Sequence, residues 1–271
     1  MHWFEGKKVV VTGGSTGIGA AFARQLARAG AELALVARTT NSLNATAELL
    51  KRAHAVRVET VSVDLTSVGG VQRLVDALDE RGFDADVLIN NAGFASYGRF
   101  TEQPIATQLQ QIALNVSSLV ELTWQLLPGL LQRQGGLIQV ASTAAFQPVP
   151  YMAVYGATKA FVLSFSDALW AEYGASGLKV LALCPGATDT PFFERVGAEE
   201  AALGAKASPD EVVALALESF LSCRPVVVHG WRNVAGTFAA RFLTRRRAAL
   251  VTEKLMRPRR AAPVKVLGGA R

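Results

Sequence analysis

Short apolar runs alternate with amphipathic stretches along most of the chain, and this alternation constrains the fold more than any other feature. Val9-Val10-Val11, Leu33–Ala37, Val56–Val63, Val87–Asn90, Leu137–Ala141, Val180–Leu183 and Pro225–Val228 read as strands. Between them, Ala20–Ala29, Asn41–Ala53, Val68–Arg81, Pro104–Gln134, Tyr155–Tyr173 and Pro209–Leu221 carry helical periodicity. Gly30 is placed as the C-terminal cap of the first helix, and Pro128 lies near the end of the fourth. Strands separated by helices pair in parallel through right-handed crossovers, and a parallel sheet must be covered on both faces. The expectation is an α/β fold: one doubly wound domain with a parallel sheet of about seven strands flanked by helices on both faces.

The chain has 271 residues, half of them hydrophobic and 18% charged, so it can bury such a core and lacks the composition of a disordered chain. Its two cysteines, Cys184 and Cys223, form neither a metal spacing nor a disulfide framework. No metal is expected, and a reducing, cytoplasmic setting is the default. The N-terminal residues lack the apolar core of a signal peptide, and no apolar run is long enough to predict a membrane span. Charge is uneven. Arg224 to Arg271 hold twelve of the 28 Lys and Arg residues and one acid, Glu253, of the 22 Asp and Glu. We therefore divide the chain into residues 1–230, the domain whose motifs, given next, read as dinucleotide-binding and catalytic, and 231–271, a basic amphipathic extension. The end of that extension, from about Pro258, is expected to be mobile.

The turn after the first strand, Thr12-Gly-Gly-Ser-Thr-Gly-Ile-Gly19, sets Gly13, Gly17 and Gly19 in the spacing G-x-x-x-G-x-G, with Ser15, Thr16 and Ile18 between them. Glycines permit a tight turn and a close approach of backbone to a pyrophosphate, and the helix N-terminus that follows favours an anion. A plain turn is the rival reading, but the position between first strand and first helix favours a Rossmann-type cofactor loop. The second strand ends at Arg38, where a cofactor without a 2′-phosphate usually meets an acid. A guanidinium there pairs with a 2′-phosphate, so NADP is expected over NAD; a solvated surface arginine is the alternative. Asp64-Leu65 ends the third strand, where the carboxylate can accept from an adenine amino group; its rival role is a helix N-cap, which Thr66 or Ser67 could equally fill. Asn90-Asn91-Ala92-Gly93 ends the fourth, as a close backbone passage beside a cofactor or as an Asn/Gly turn.

Tyr155 and Lys159 stand at i and i+4, on one face of a helix. An adjacent ammonium favours the phenolate, and a tyrosine tuned in this way can exchange a proton at a carbonyl or alcohol. Taken alone, the pair is a weak signal, and a solvated helix face is the reading to prefer. Together with Thr12–Gly19, Asn90–Gly93, Asn115, Ser142 and Pro185-Gly186, in order from about residue 7 to about residue 230, the chain resembles the short-chain dehydrogenase/reductase family. The resemblance implies Tyr155 as the proton donor or acceptor, with Lys159 lowering its pKa and contacting the nicotinamide ribose. It implies Ser142 on the substrate oxygen and Asn115 holding a relay water beside Lys159. It also places Pro185, Gly186, Thr188 and Thr190 over the nicotinamide, and a homo-oligomer, dimer or tetramer, formed through the long fourth and fifth helices. Cys184 stands where the family often has asparagine. Without the ordered set, Ser142 reads as a turn hydroxyl and Asn115 as a satisfied polar residue between helices.

Phe94, Tyr97, Phe146, Val149, Pro150, Met152, Phe192 and Phe193 lie on loops after the strands, which suggests an apolar ketone or alcohol as substrate; several could instead pack loops or a subunit interface. No arginine cluster stands ready for an acidic substrate, although Arg99 and Arg195 are near. The expected function is an NADP-dependent oxidoreductase that acts as a carbonyl reductase. The alternative is a non-catalytic NADP-binding regulatory or membrane-surface protein on the same fold. The basic tail can make a weak membrane-surface contact or pack on the domain or a neighbouring subunit. Nucleic acid is not expected, because no supporting motif accompanies the charge.

Overall fold

The computed structural model describes residues 1–197, 202 and 204–258. Seven parallel strands form one sheet in the order β3-β2-β1-β4-β5-β6-β7. They are β1 (Lys8–Thr12), β2 (Glu32–Ala37), β3 (Val58–Ser62), β4 (Val87–Asn90), β5 (Gly136–Val140), β6 (Lys179–Cys184) and β7 (Val226–Val228). The helices are α1 (Gly17–Arg28), α2 (Thr40–His54), α3 (Gly70–Asp79), α4 (Ile105–Ile112), α5 (Ser118–Gln132), α6 (Ala153–Tyr173), α7 (Phe192–Val196), α8 (Pro209–Leu221), α9 (Trp231–Ala240) and α10 (Arg245–Met256).

The apolar runs are continuous because both faces of the sheet are covered. Side chains of a strand alternate between faces. Val9 and Val11 therefore join Leu33, Leu35, Phe22, Leu26, Val213 and Phe220 on the side of α1 and α8. Val10 joins Val36, Leu88, Leu137, Leu74, Leu122 and Leu169 on the side of α3, α5 and α6. Local signals set the boundaries. Gly30, at φ 81°, reverses the chain after α1 as expected, and Ser208 caps α8 by accepting from Asp210 N at 3.2 Å, with Pro209 in the first turn.

One expectation is corrected. The stretch Pro104–Gln134 is not one uninterrupted α-helix: five residues, Ala113–Ser117, form a π-helical turn between α4 and α5. The added residue widens the turn without breaking the apolar periodicity on either side.

The order of the strands reverses direction at β1. The chain builds β2 and β3 on one side, then crosses to β4 on the other. In such sheets the crevice outside the carboxyl ends at that point receives the ligand.

Candidate active site

Thr12 ends β1 inside this crevice. Its Oγ1 accepts from Asn91 N at 2.9 Å and Ala92 N at 3.0 Å, and the Asn91 side chain donates to Thr12 O at 2.9 Å. These bonds tie the end of β4 to the glycine turn. Gly13 and Gly17 adopt positive φ, 66° and 55°. A Cβ on Gly13 would lie 2.8 Å from Asn91 Nδ2, and one on Gly17 would lie 3.0 Å from Thr190 Cγ2. The turn is thus pressed against the ends of β4 and of the β6 loop, and only bare backbone fits there. Thr16, the residue before α1, makes no side-chain cap bond, so the first N–H groups of α1 are not closed off by it.

Gly13, Thr16, Gly17, Ile18, Arg38, Asn91, Ala92, Gly93, Ser142, Tyr155, Lys159, Pro185, Gly186, Thr188 and Thr190 all line one cavity of about 730 Å³. A glycine cradle facing a helix N-terminus, with an exposed arginine at its rim, fits a phosphate-bearing dinucleotide. Four expected cofactor residues stand outside the lining. Gly19 packs behind the turn, where a Cβ would collide with Gly13 O and Asn91. The Ser15 carbonyl accepts from Thr46 at 3.4 Å. Asp64 accepts from both Thr66 N, at 2.9 Å, and Thr66 Oγ1, at 2.7 Å, bonds that hold its carboxyl below the usual range; it caps the turn, the rival role read for it. Leu65 is buried in the core beneath α5, and its carbonyl accepts from Ser118.

Tyr155 and Lys159 sit in the first two turns of α6, over the end of β5. Lys159 is buried and donates to Val140 O at 2.7 Å. Burial in an apolar setting pushes its pKa down to about 8. Burial pushes Tyr155 up to about 12, opposed by a hydrogen bond with the Ser142 side chain. This is opposite to the shift expected from the Lys159 charge. The ammonium spends its bond on a backbone carbonyl, its own charged form is disfavoured by burial, and desolvation of the phenolate dominates. The phenol is therefore held protonated near neutral pH, the form a proton donor needs. Ser142 also accepts from Ala144 N at 3.1 Å, and its own N–H bonds to Cys184, whose thiol burial pushes up to about 12 and keeps inert.

The π turn presents Asn115 to this centre. Its side chain donates to Phe94 O at 3.0 Å and Thr158 Oγ1 at 3.1 Å, and accepts from Phe94 N at 3.1 Å. A Cβ on Gly93 would lie 3.0 Å from Asn115 Oδ1 and 3.6 Å from Lys159 Nζ, so the three residues converge.

The cavity beyond Tyr155 is mostly apolar. Phe94, Val149, Met152, Phe192 and Phe193 line it, whereas Phe146 packs with Leu119, Ala141 and Val162. Tyr97 and Pro150 stand outside the lining. Arg99 is exposed and also outside it, and the Arg195 side chain lies outside the description. Sequence reading missed one whole wall. Arg232, Asn233, Thr237, Leu243, Val251, Thr252, Leu255 and Met256 of the tail also line the cavity. Tyr97 Oη donates to Met256 O at 2.7 Å and Tyr151 Oη to Glu253 Oε1 at 2.6 Å, which fastens α10 across it. The 3.6-residue periodicity of the tail was the available signal; where the helix docks is not encoded in it. Of the segment expected to be mobile, residues 259–271 lie outside the described residues.

Comparison with known proteins agrees with this geometry. The short chain dehydrogenase family profile matches residues 7–201. Very-long-chain 3-oxoacyl-CoA reductase of Mus musculus is 35% identical over 185 residues, 66% of this chain and 59% of that protein. A short-chain dehydrogenase from Sphingobium yanoikuyae, solved in complex with NADPH, is 34% identical with a TM-score of 0.80, covering 95% of this chain and 99% of that one. One from Burkholderia phymatum, solved with NAD, is 26% identical with a TM-score of 0.78, covering 87% and 92%. The chain belongs to the short-chain dehydrogenase/reductase family. It is an NAD(P)-dependent oxidoreductase acting on a CH–OH/C=O pair. Among the described residues, no helix is long and apolar enough to cross a membrane, and no cluster of His, Cys, Asp and Glu could hold a metal.

Proposed function

We propose that the protein is an NADP-dependent carbonyl reductase for an apolar ketone or aldehyde. The observation that carries this reading is that Tyr155, Ser142 and Lys159, all at least partly buried, line one cavity together with the glycine turn and the apolar side chains Phe94, Val149, Met152 and Phe192. When bound, the nicotinamide dinucleotide supplies the hydride. Tyr155 gives its proton to the substrate oxygen. Ser142 donates a second hydrogen bond to the same oxygen, and two donors aimed at developing negative charge stabilise it most where water is excluded. Lys159 holds the ribose, and the residues about Asn115 hold the water that returns a proton to Lys159. Residues 1–230 carry these groups, and the described part of 231–271 completes the pocket wall.

Arg38, exposed at the rim, supports NADP over NAD through its charge toward a 2′-phosphate. Both cysteines are free of disulfides, Cys184 buried and Cys223 exposed, which supports a reducing, cytoplasmic setting. Exposed Ile105, Leu109 and Ile112 on α4, Trp124 on α5 and Phe161 on α6 support a homo-oligomer, dimer or tetramer. The test is consumption of NADPH against NADH over a panel of apolar ketones. NADPH-dependent turnover is expected; a clear preference for NADH overturns the role of Arg38, and no turnover of any apolar carbonyl overturns the reading.

A further inference from the structure

Helix α9 is amphipathic with its apolar stripe on the wrong side for a core helix. Trp231, Val234, Phe238 and Phe242 recur at spacings of three and four, which places them on one face. That face points outward: the four are 76%, 48%, 59% and 76% exposed, while Thr237 is buried on the inner side. Phe238 and Phe242 meet edge to face, with centroids 5.2 Å apart. Leu250 and Leu255 of α10 add to the exposed apolar surface. Leu243, Val251 and Leu255 are exposed and also line the cavity, so the segment that carries the patch also forms part of the pocket wall.

The charges of α9 and α10 are nearly all basic, although Asp167 of α6 lies within electrostatic reach of Arg241. Arg241, Arg245, Arg246, Arg247 and Lys254 are exposed, and Arg232 lies over the Trp231 ring at 5.3 Å. The one acid of α9 and α10, Glu253, is occupied by Tyr151 and Arg257. Aromatic side chains framed by arginines suit the headgroup region of an anionic bilayer, where the rings enter the interface and the cations meet lipid phosphates. A two-fold contact between copies of this face would gather two copies of the Arg245–Arg247 cluster into one interface, a like-charge arrangement.

We infer that α9 and α10 dock on an anionic lipid surface and hold the mouth of the pocket against it. The orientation toward the pocket rests on the reading of that cavity as the substrate site; the docking itself does not. An apolar substrate dissolved in the bilayer would then reach Tyr155 without crossing water.

The test is sedimentation of the full chain with vesicles, which reads binding without turnover and so stands whether or not the enzymatic reading holds. The chain is expected to pellet with phosphatidylcholine–phosphatidylglycerol vesicles, to stay in solution with phosphatidylcholine alone, and to be released by salt. The triple variant Arg245→Glu, Arg246→Glu, Arg247→Glu should bind more weakly by roughly fivefold or more per arginine. Trp231→Ser, Phe238→Ser, Phe242→Ser should no longer pellet while keeping its circular dichroism and unfolding midpoint, since these side chains are outside the core. Failure of the wild-type chain to bind anionic vesicles overturns the inference. So does binding that neither variant weakens. A fall in assembly size by ultracentrifugation for the aromatic variant, with no vesicle binding by the wild type, assigns the face to a second copy of the chain instead.

Discussion

At the scale of single residues, burial governs the chemistry more than charge does. Tyr155, Lys159, Ser142 and Asn115 belong to one reading of the sequence; the fold brings the first three to one cavity and sets Asn115 beside Gly93 and Lys159 at its edge. What the sequence could not convey is the direction of the Tyr155 shift, because helix spacing reports neighbours and not the loss of water. Lys159 offers a test of this. Its folded pKa is depressed to about 8, so its burial costs nothing at pH well above 10.5, the value of a free lysine, and costs most below about 8. Unfolding free energy of the wild type should therefore rise relative to Lys159→Met between pH 7 and 9.5, by about 2 kcal/mol in urea titrations. No pH-dependent difference between the two proteins would contradict the burial. Arg38→Ala should raise the KM for NADPH roughly tenfold or more, the loss of about one charge-assisted contact, and leave that for NADH nearly unchanged in steady-state assays.

At the scale of elements, strand and helix order was legible because each strand is apolar throughout and each helix periodic. Boundaries fell within about three residues of the observed ones for most elements, as terminal turns fray or tighten. The pattern starts α3 at Val68, yet Val68 is exposed and α3 begins at Gly70. The π turn was illegible because a single widened turn leaves Leu114 and the α5 stripe in a pattern that an unbroken helix also produces. Contact between the glycine turn and α1 gives the prediction at this scale. Gly19→Ala places a methyl group against Gly13 O and Asn91, groups with no room to retreat. The variant should lose roughly 1–3 kcal/mol of stability in denaturant titration and bind NADPH more weakly by fluorescence, through displacement of the turn. Wild-type stability and affinity would show that the loop gives way.

At the scale of the whole molecule, the tail belongs to the pocket. Its amphipathic periodicity was visible, but a stripe in a sequence does not say which side meets the protein, and here the inner contacts are made by Thr237, Ala248 and Thr252 together with Met256, which packs on Val149, Met152 and Phe193. Tyr151 adopts φ 65°, a strained value for a tyrosine, with its carbonyl held by Gly98 N at 2.9 Å and its hydroxyl by Glu253. That posture fastens α10. The double variant Tyr97→Phe, Tyr151→Phe removes both hydroxyls that hold the helix. It should raise KM for an apolar ketone about fivefold or more and change kcat little, because each lost bond loosens the wall and not the proton donor. The measurement that bears most directly on the account pairs two readouts on Tyr155→Phe: NADPH binding by fluorescence titration, and single-turnover reduction of a ketone that the wild type consumes. Binding within about twofold of wild type with reduction slowed by roughly 10³ or more is the expected result; reduction at the wild-type rate would show that the proton comes from elsewhere.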